Sequence, residues 1–147
     1  MPTNAIARTD AGLASVLRLA VMRLRRRLVA ERDPANDLSL GAMSVLGGLL
    51  VHGEATVGEL AARERVQPPS MTRTVNALAE GGYVERRPGD VDRRQVHVAI
   101  TPLGAETVKA DRRRRDVWLA RRLAALTPDE RAVLRQAAPI LEKIATE

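Results

Sequence analysis

Between Thr56 and Ile100 the apolar residues change their repeat once, from helical to alternating, and this change restricts the fold more than any other feature. Thr56-Val57-Gly58-Glu59 is a capping box, in which a hydroxyl and a carboxylate satisfy the free amides of a helix start. The helix it opens should bury Val57, Leu60 and Ala61 and run to about Arg65. Val66-Gln67-Pro68-Pro69 forces a turn, and proline suits the first turn of the helix that follows. That helix turns Met71, Val75 and Leu78 inward and leaves Ser70, Thr72, Arg73 and Asn76 on its outer face. Gly81-Gly82 provides the glycine that a left-handed C-terminal cap requires. The repeat then becomes alternating. Tyr83 to Arg86 and Gln95 to Ile100 read as two strands, with Val96, Val98 and Ile100 on one face. The residues joining them, Arg87 to Arg94, are too polar to bury and too numerous for a tight turn, so they should project as a flexible arm.

The flanking segments are helical. From Ala11 to about Val29, Leu13, Val16, Leu17, Ala20, Val21, Leu24 and Leu28 fall on one helical face, with arginines opposite. Asp33 to Asp37 breaks this helix. Ser39 can cap a second one carrying Met43, Val45, Leu46, Leu49 and Leu50 inward. Gly47-Gly48 inside it is unfavourable by about 1 kcal/mol per glycine, which predicts close packing against a neighbouring backbone. Thr101-Pro102 starts a fifth helix reaching about Leu126, and Thr127-Pro128-Asp129-Glu130 is a second capping box. The last helix places Val133, Leu134, Ala137, Ile140, Leu141 and Ile144 on one face, and Pro139 should kink it.

The expected fold is therefore mainly α with a small β-hairpin wing: a winged helix-turn-helix over 38–101, with N- and C-terminal dimerisation helices from 1–37 and 102–147. The stripes at Leu13 to Leu28, Val117 to Leu126 and Val133 to Ile144 offer more apolar surface than one small winged domain needs. That fits a homodimer, with a helical cap within a single chain as the alternative.

Composition narrows the function. Lys+Arg 24 against Asp+Glu 18 gives a formal charge of +6, which suits a polyanionic partner, although the placement of the charges must decide. There is no cysteine, and His52 and His97 are the only histidines, so thiol redox sensing and a zinc site are not expected. No cofactor is expected. The longest uncharged run, Leu38 to Gly53, falls short of the ~20 apolar residues that span a bilayer, which makes the cytoplasm the default location. Nucleophile-elbow, phosphate-cradling and catalytic carboxylate or histidine patterns are absent, so an enzyme is not expected.

In such a fold each exposed polar residue has a physical task. The major groove of double-stranded DNA admits a helix, where Arg73 can reach guanine acceptors while Gln67, Ser70, Thr72 and Asn76 meet bases or phosphates. Arg93 or Arg94 at the wing tip can enter the narrow, strongly negative minor groove, and Asp92 can hold one guanidinium extended. Arg86 and Arg87 would extend the same basic footprint. Taken alone, each feature also has a plainer account, as a solvated helix face or an exposed ion pair. A winged-helix protein-interaction module and a non-specific DNA-binding protein remain alternatives, the latter marked by binding that ignores sequence and falls steeply with salt.

The span from about Leu38 to Gly104 resembles the DNA-binding core of the MarR family of bacterial regulators. The likeness rests on Leu38-Ser39, Val45-Leu46, Thr56 to Leu60, Ser70-Met71-Thr72-Arg73 with Val75 and Leu78, Gly82-Tyr83-Val84-Glu85-Arg86, and above all Asp92-Arg93-Arg94 leading into Val98-Ala99-Ile100-Thr101-Pro102-Leu103-Gly104. The resemblance implies a dimer interlocked through the first, fifth and sixth helices. It would present two winged domains to a pseudo-palindromic operator as a transcriptional repressor. The resemblance also implies a small-molecule effector pocket, for which Tyr83 and Trp118 are the only aromatic residues available. Pro68-Pro69 depart from the small polar residues usual at the start of the family's recognition helix.

Overall fold

The computed structural model describes residues 8–146, which form six helices and three strands. In chain order these are α1 (Asp10–Ala30), α2 (Leu40–His52), β1 (Ala55–Thr56), α3 (Val57–Glu64), α4 (Pro68–Glu80), β2 (Val84–Pro88), β3 (Val96–Ile100), α5 (Pro102–Ala124) and α6 (Pro128–Thr146). They group into two compact units: residues 33–112, and the remainder of the described chain. The division falls inside α5, which runs without a break from one unit into the other.

Local signals in the sequence start and stop these helices as anticipated. The Ser39 hydroxyl accepts the Ala42 amide at 3.1 Å at the head of α2. Both halves of the capping box on α3 form: the Glu59 amide donates to the Thr56 hydroxyl at 3.2 Å, and the Thr56 amide donates to the Glu59 carboxylate at 2.8 Å. Thr127 and Glu130 repeat the arrangement ahead of α6 at 3.2 and 2.8 Å. At the end of α4, Gly82 has φ +78°, its amide donates to the Ala79 carbonyl and the Tyr83 amide donates to Leu78, the paired closure that a left-handed residue makes possible. Arg65 closes α3 in the same way at φ 54°, an uncommon conformation for a residue with a Cβ.

The core lies in residues 33–112. Val45, Leu46 and Leu49 of α2 meet Leu60 and Ala61 of α3, Met71, Val75 and Leu78 of α4, and Val84, Val98 and Val108. Each fully buried Leu or Val contributes about 1.5 to 3 kcal/mol over exposure, so this cluster fixes the angle between α3 and α4. Ser44 on α2 reaches Glu64 at the end of α3 at 2.9 Å, a polar tie across the same junction.

Three expectations are corrected. The sheet has three strands in the order β1-β3-β2, because Ala55 and Thr56 pair antiparallel with Val98 and His97; a two-residue edge strand is too short to show a period. Gly47 and Gly48 do not pack against a neighbouring backbone. The nearest outside atom to a Cβ at Gly47 would be the mobile end of Arg112 at 3.9 Å, and nothing lies within 4 Å at Gly48. Val96 is exposed at the wing end of β3, and Ala99 is buried on the face opposite Val98, so burial along β3 does not simply alternate. The glycine needed for close approach is Gly104, where a Cβ would lie 2.2 Å from the Tyr83 carbonyl oxygen and push the first turn of α5 off β2.

The other unit is less closed. Among the described residues, α1 and α6 bury none, and Leu13, Leu24, Val133, Ile140 and Ile144 are exposed. Arg27 and Arg122 each place a guanidinium over the ring of Trp118 on α5, 5.6 and 5.3 Å from its centre. Arg131 donates to the Leu123 and Ala124 carbonyls at the C-terminus of α5, at 3.3 and 3.4 Å, and to the Leu126 carbonyl just beyond it at 2.8 Å. Pro139 lies within α6, which is unbroken from Pro128 to Thr146.

Candidate nucleic-acid interface

The expected outer residues of α4 are exposed because the inward ones are placed by the core. Met71, Val75 and Leu78 are buried, which puts Thr72, Arg73 and Asn76 on the opposite side of the helix. Gln67 is the N-cap residue and Pro68-Pro69 form the first turn, so no side chain covers the free amides there. The Thr72 hydroxyl donates to the Pro68 carbonyl at 3.0 Å and offers only lone pairs outward. The Arg73 guanidinium touches the Ser70 hydroxyl at 3.4 Å, the long limit for a hydrogen bond, and is lightly held.

The wing is more ordered than a loose arm. Gly89 donates to the Gln95 carbonyl at 2.8 Å and Gln95 to the Asp92 carbonyl at 3.1 Å, which closes the loop beyond β2 and β3. Asp92 does not grip a guanidinium. Its carboxylate accepts the Arg94 backbone amide at 2.9 Å, a local turn that leaves both arginine side chains exposed at the tip. Val91 is fully exposed between Asp90 and Asp92, an apolar residue inside a polar loop.

The two strand arginines part company. Side chains alternate along a strand, so Arg86 shares the face of Val84 and Val98, which packs toward α4, while Arg87 lies on the other with Glu85. Arg86 donates to the Asn76 carboxamide oxygen on α4. Arg87 is paired with the Glu85 carboxylate, its Nε at 2.7 Å, and so adds less free charge to the footprint than its sequence position suggested. Gln67, Ser70, Thr72, Arg73, Asn76, Arg86, Asp92, Arg93 and Arg94 all belong to the compact unit 33–112, and Asn76 and Arg86 are in direct contact. This unit offers an exposed polar helix face and, separately, an arginine-tipped hairpin, the two shapes that fit a major and a minor groove.

No group of three or more potential metal-ligating side chains lies together among the described residues, and no helix among them is long and apolar enough to cross a membrane. Comparison with known proteins gives concordant results. The sequence model of the MarR family matches residues 38–96. An uncharacterized HTH-type transcriptional regulator of Mycobacterium bovis is 50% identical over 139 residues, covering 95% of this chain and 96% of its own length. Among solved structures, a protein of Pseudomonas aeruginosa PA01 described as a candidate transcriptional regulator superposes with a TM-score of 0.81 at 32% identity, over 94% of this chain and 96% of that one. Streptococcus pneumoniae FabT, solved in complex with DNA, superposes with a TM-score of 0.69 over 90% of this chain and 96% of its own, and at 20% identity bears on the fold alone. With half of its residues shared across nearly its whole length with an HTH-type regulator, and with the helix order and wing described above, this chain belongs to the MarR family of DNA-binding transcriptional regulators and is not an enzyme.

Proposed function

We propose that the protein is a cytoplasmic, homodimeric repressor that reads a pseudo-palindromic operator. Each copy would place α4 in a major groove and its wing in the adjacent minor groove, with residues 38–101 as the reading domain and 1–37 with 102–147 as the dimerisation region. Gln67, Ser70, Thr72, Arg73 and Asn76 face bases and phosphates in this arrangement, and Arg86, Asp92, Arg93 and Arg94 support or make the wing contacts. The observation that carries the reading is the polar, exposed face of α4 beside an arginine-tipped wing in one compact unit. The FabT chain, solved in complex with DNA, has the same fold.

Dimerisation is supported by the apolar residues of α1 and α6. Leu24, Ile140 and Ile144 are 44%, 58% and 65% exposed, far more than such side chains retain where helices pack. A small-molecule effector would fit the cleft of about 250 Å³ lined by Asp33, Asn36, Tyr83, Leu103 and Glu106, because Tyr83 follows the glycine that closes α4 and an occupant there bears on the reading helix. Selecting bound fragments from the source genome, with the solution mass measured alongside, tests the reading. A two-chain mass and enrichment of a two-fold repeat with half-sites about one helical turn apart, ~10 bp or a multiple, are expected. A single-chain mass at micromolar concentration, or enrichment of no sequence, would overturn it.

A further inference from the structure

Asn76 and Arg86 stand ten residues apart in sequence, and both are exposed on the reading unit. A guanidinium has donors only, so the carboxamide atom that meets Arg86 is the oxygen, and the orientation of the Asn76 amide is fixed by chemistry. The Asn76 amide donors have no protein partner among the described residues and remain available on the outer side of α4. Its neighbour Arg87 is paired with Glu85 on the opposite face of the sheet and does not compete for Asn76.

A free asparagine matches adenine with two bonds, accepting from N6 and donating to N7. Asn76 is not free in that sense. Its oxygen already accepts from the Arg86 guanidinium, so a base edge that needs the same oxygen competes with that bond. What Asn76 turns outward is an amine with two donors. Guanine presents two acceptors, N7 and O6, to those donors, whereas adenine presents N7 alone beside its own N6 donors and thymine presents O4 alone. We propose that Arg86 is a positioning residue that fixes Asn76 as a hydrogen-bond donor, so that α4 favours guanine over adenine at the base pair beneath Asn76. The assignment rests on the operator reading above.

Selection of bound duplexes from a randomised pool, with the full chain and three variants, tests it. Wild type should enrich guanine at one position of each half-site. Arg86→Met frees the Asn76 oxygen and should move that position toward adenine by roughly tenfold. Arg86→Lys still donates and should keep guanine. Asn76→Asp keeps the tie to Arg86 but removes the donors, and should lose guanine there in favour of cytosine, whose N4 donates. If wild type selects a sequence and Arg86→Met and Asn76→Asp leave every base preference unchanged, even with weaker binding, this assignment alone is overturned, and Arg86 serves the phosphate backbone or the wing. If wild type selects no sequence, the operator reading fails and takes this assignment with it. Thermal melting of each variant separates these outcomes from loss of the fold.

Discussion

Residues 33–112 and the helices outside them solve the same problem in opposite ways. The first unit completes its core within one chain: Leu46, Leu60, Val75, Leu78 and Val98 retain 1% or less of their accessible surface. Helices α1 and α6 have as regular an apolar repeat in sequence, yet bury none of their described residues. An apolar stripe therefore says that a helix has a face to cover, and whether the same chain covers it is a separate fact. Here the reading unit is finished on its own, and the helical extensions are left with surface to give.

This contrast can be broken by experiment. The largest effect is expected from Ile140→Asp, which puts a carboxylate on the proposed seam of both copies at a cost of several kcal/mol if it is buried there. The mass in solution should fall from two chains to one while the helical signal of the reading unit persists; a dimer that survives the change places the seam elsewhere. Leu46→Ala in the closed core should cost about 2 to 5 kcal/mol in a urea melt, because the site is completely enclosed and cannot readily collapse. A loss below 1 kcal/mol would mean that the core is looser than its burial implies.

Arg73→Ala should weaken operator binding by about 1 to 3 kcal/mol and relax base preference, whereas Arg94→Ala should weaken binding with little change in major-groove preference. Unchanged binding by Arg94→Ala in a competition titration would remove the wing from the interface. The smallest effect is expected at the cap of α3. Thr56→Ala should cost about 0.5 to 2 kcal/mol. The hydrogen bond from the Thr56 amide holds the Glu59 carboxyl below its ordinary pKa. A carboxyl lowered by folding stabilises the folded state fully above its unfolded pKa, and this contribution is lost as the pH falls through the lowered value. The stability difference between wild type and Glu59→Gln should therefore be constant near neutrality and shrink in acid, as followed by urea midpoints; a difference that grows in acid would contradict the cap.

Much of the fold was legible because its signals are local. The capping boxes at Thr56 and Thr127, the Ser39 cap, the glycine closure at Gly82 and the inward triplet Met71, Val75 and Leu78 each depend on residues within one or two turns of one another. The exposed face of α4 was legible for the same reason, since its buried face dictates it. The remainder was not. β1 is two residues long, and only its partner β3 makes it a strand. The glycine pair in α2 looked like a close approach and meets open space, whereas Gly104, which gave no such warning, sits against the Tyr83 carbonyl. Asp92 stands beside two arginines in sequence yet closes its own turn, because a backbone amide two residues away needs no ordering of a long side chain.

The sequence by itself determined where the helices of the reading unit begin and end, which residues enter its core and which polar side chains remain outside, because neighbours along the chain supply those interactions. The tertiary structure decided which atoms of those exposed side chains are still free. Arg86 and Arg87 are adjacent in sequence, yet one is turned to the oxygen of Asn76 and the other to Glu85. The Arg87 pair follows from alternation along one strand, but the Arg86 contact depends on how that strand lies across a helix, an angle set by packing between distant segments, of which local propensity carries no record. Which atoms of Asn76 stay free on α4 is therefore decided only when the sheet closes on the helix.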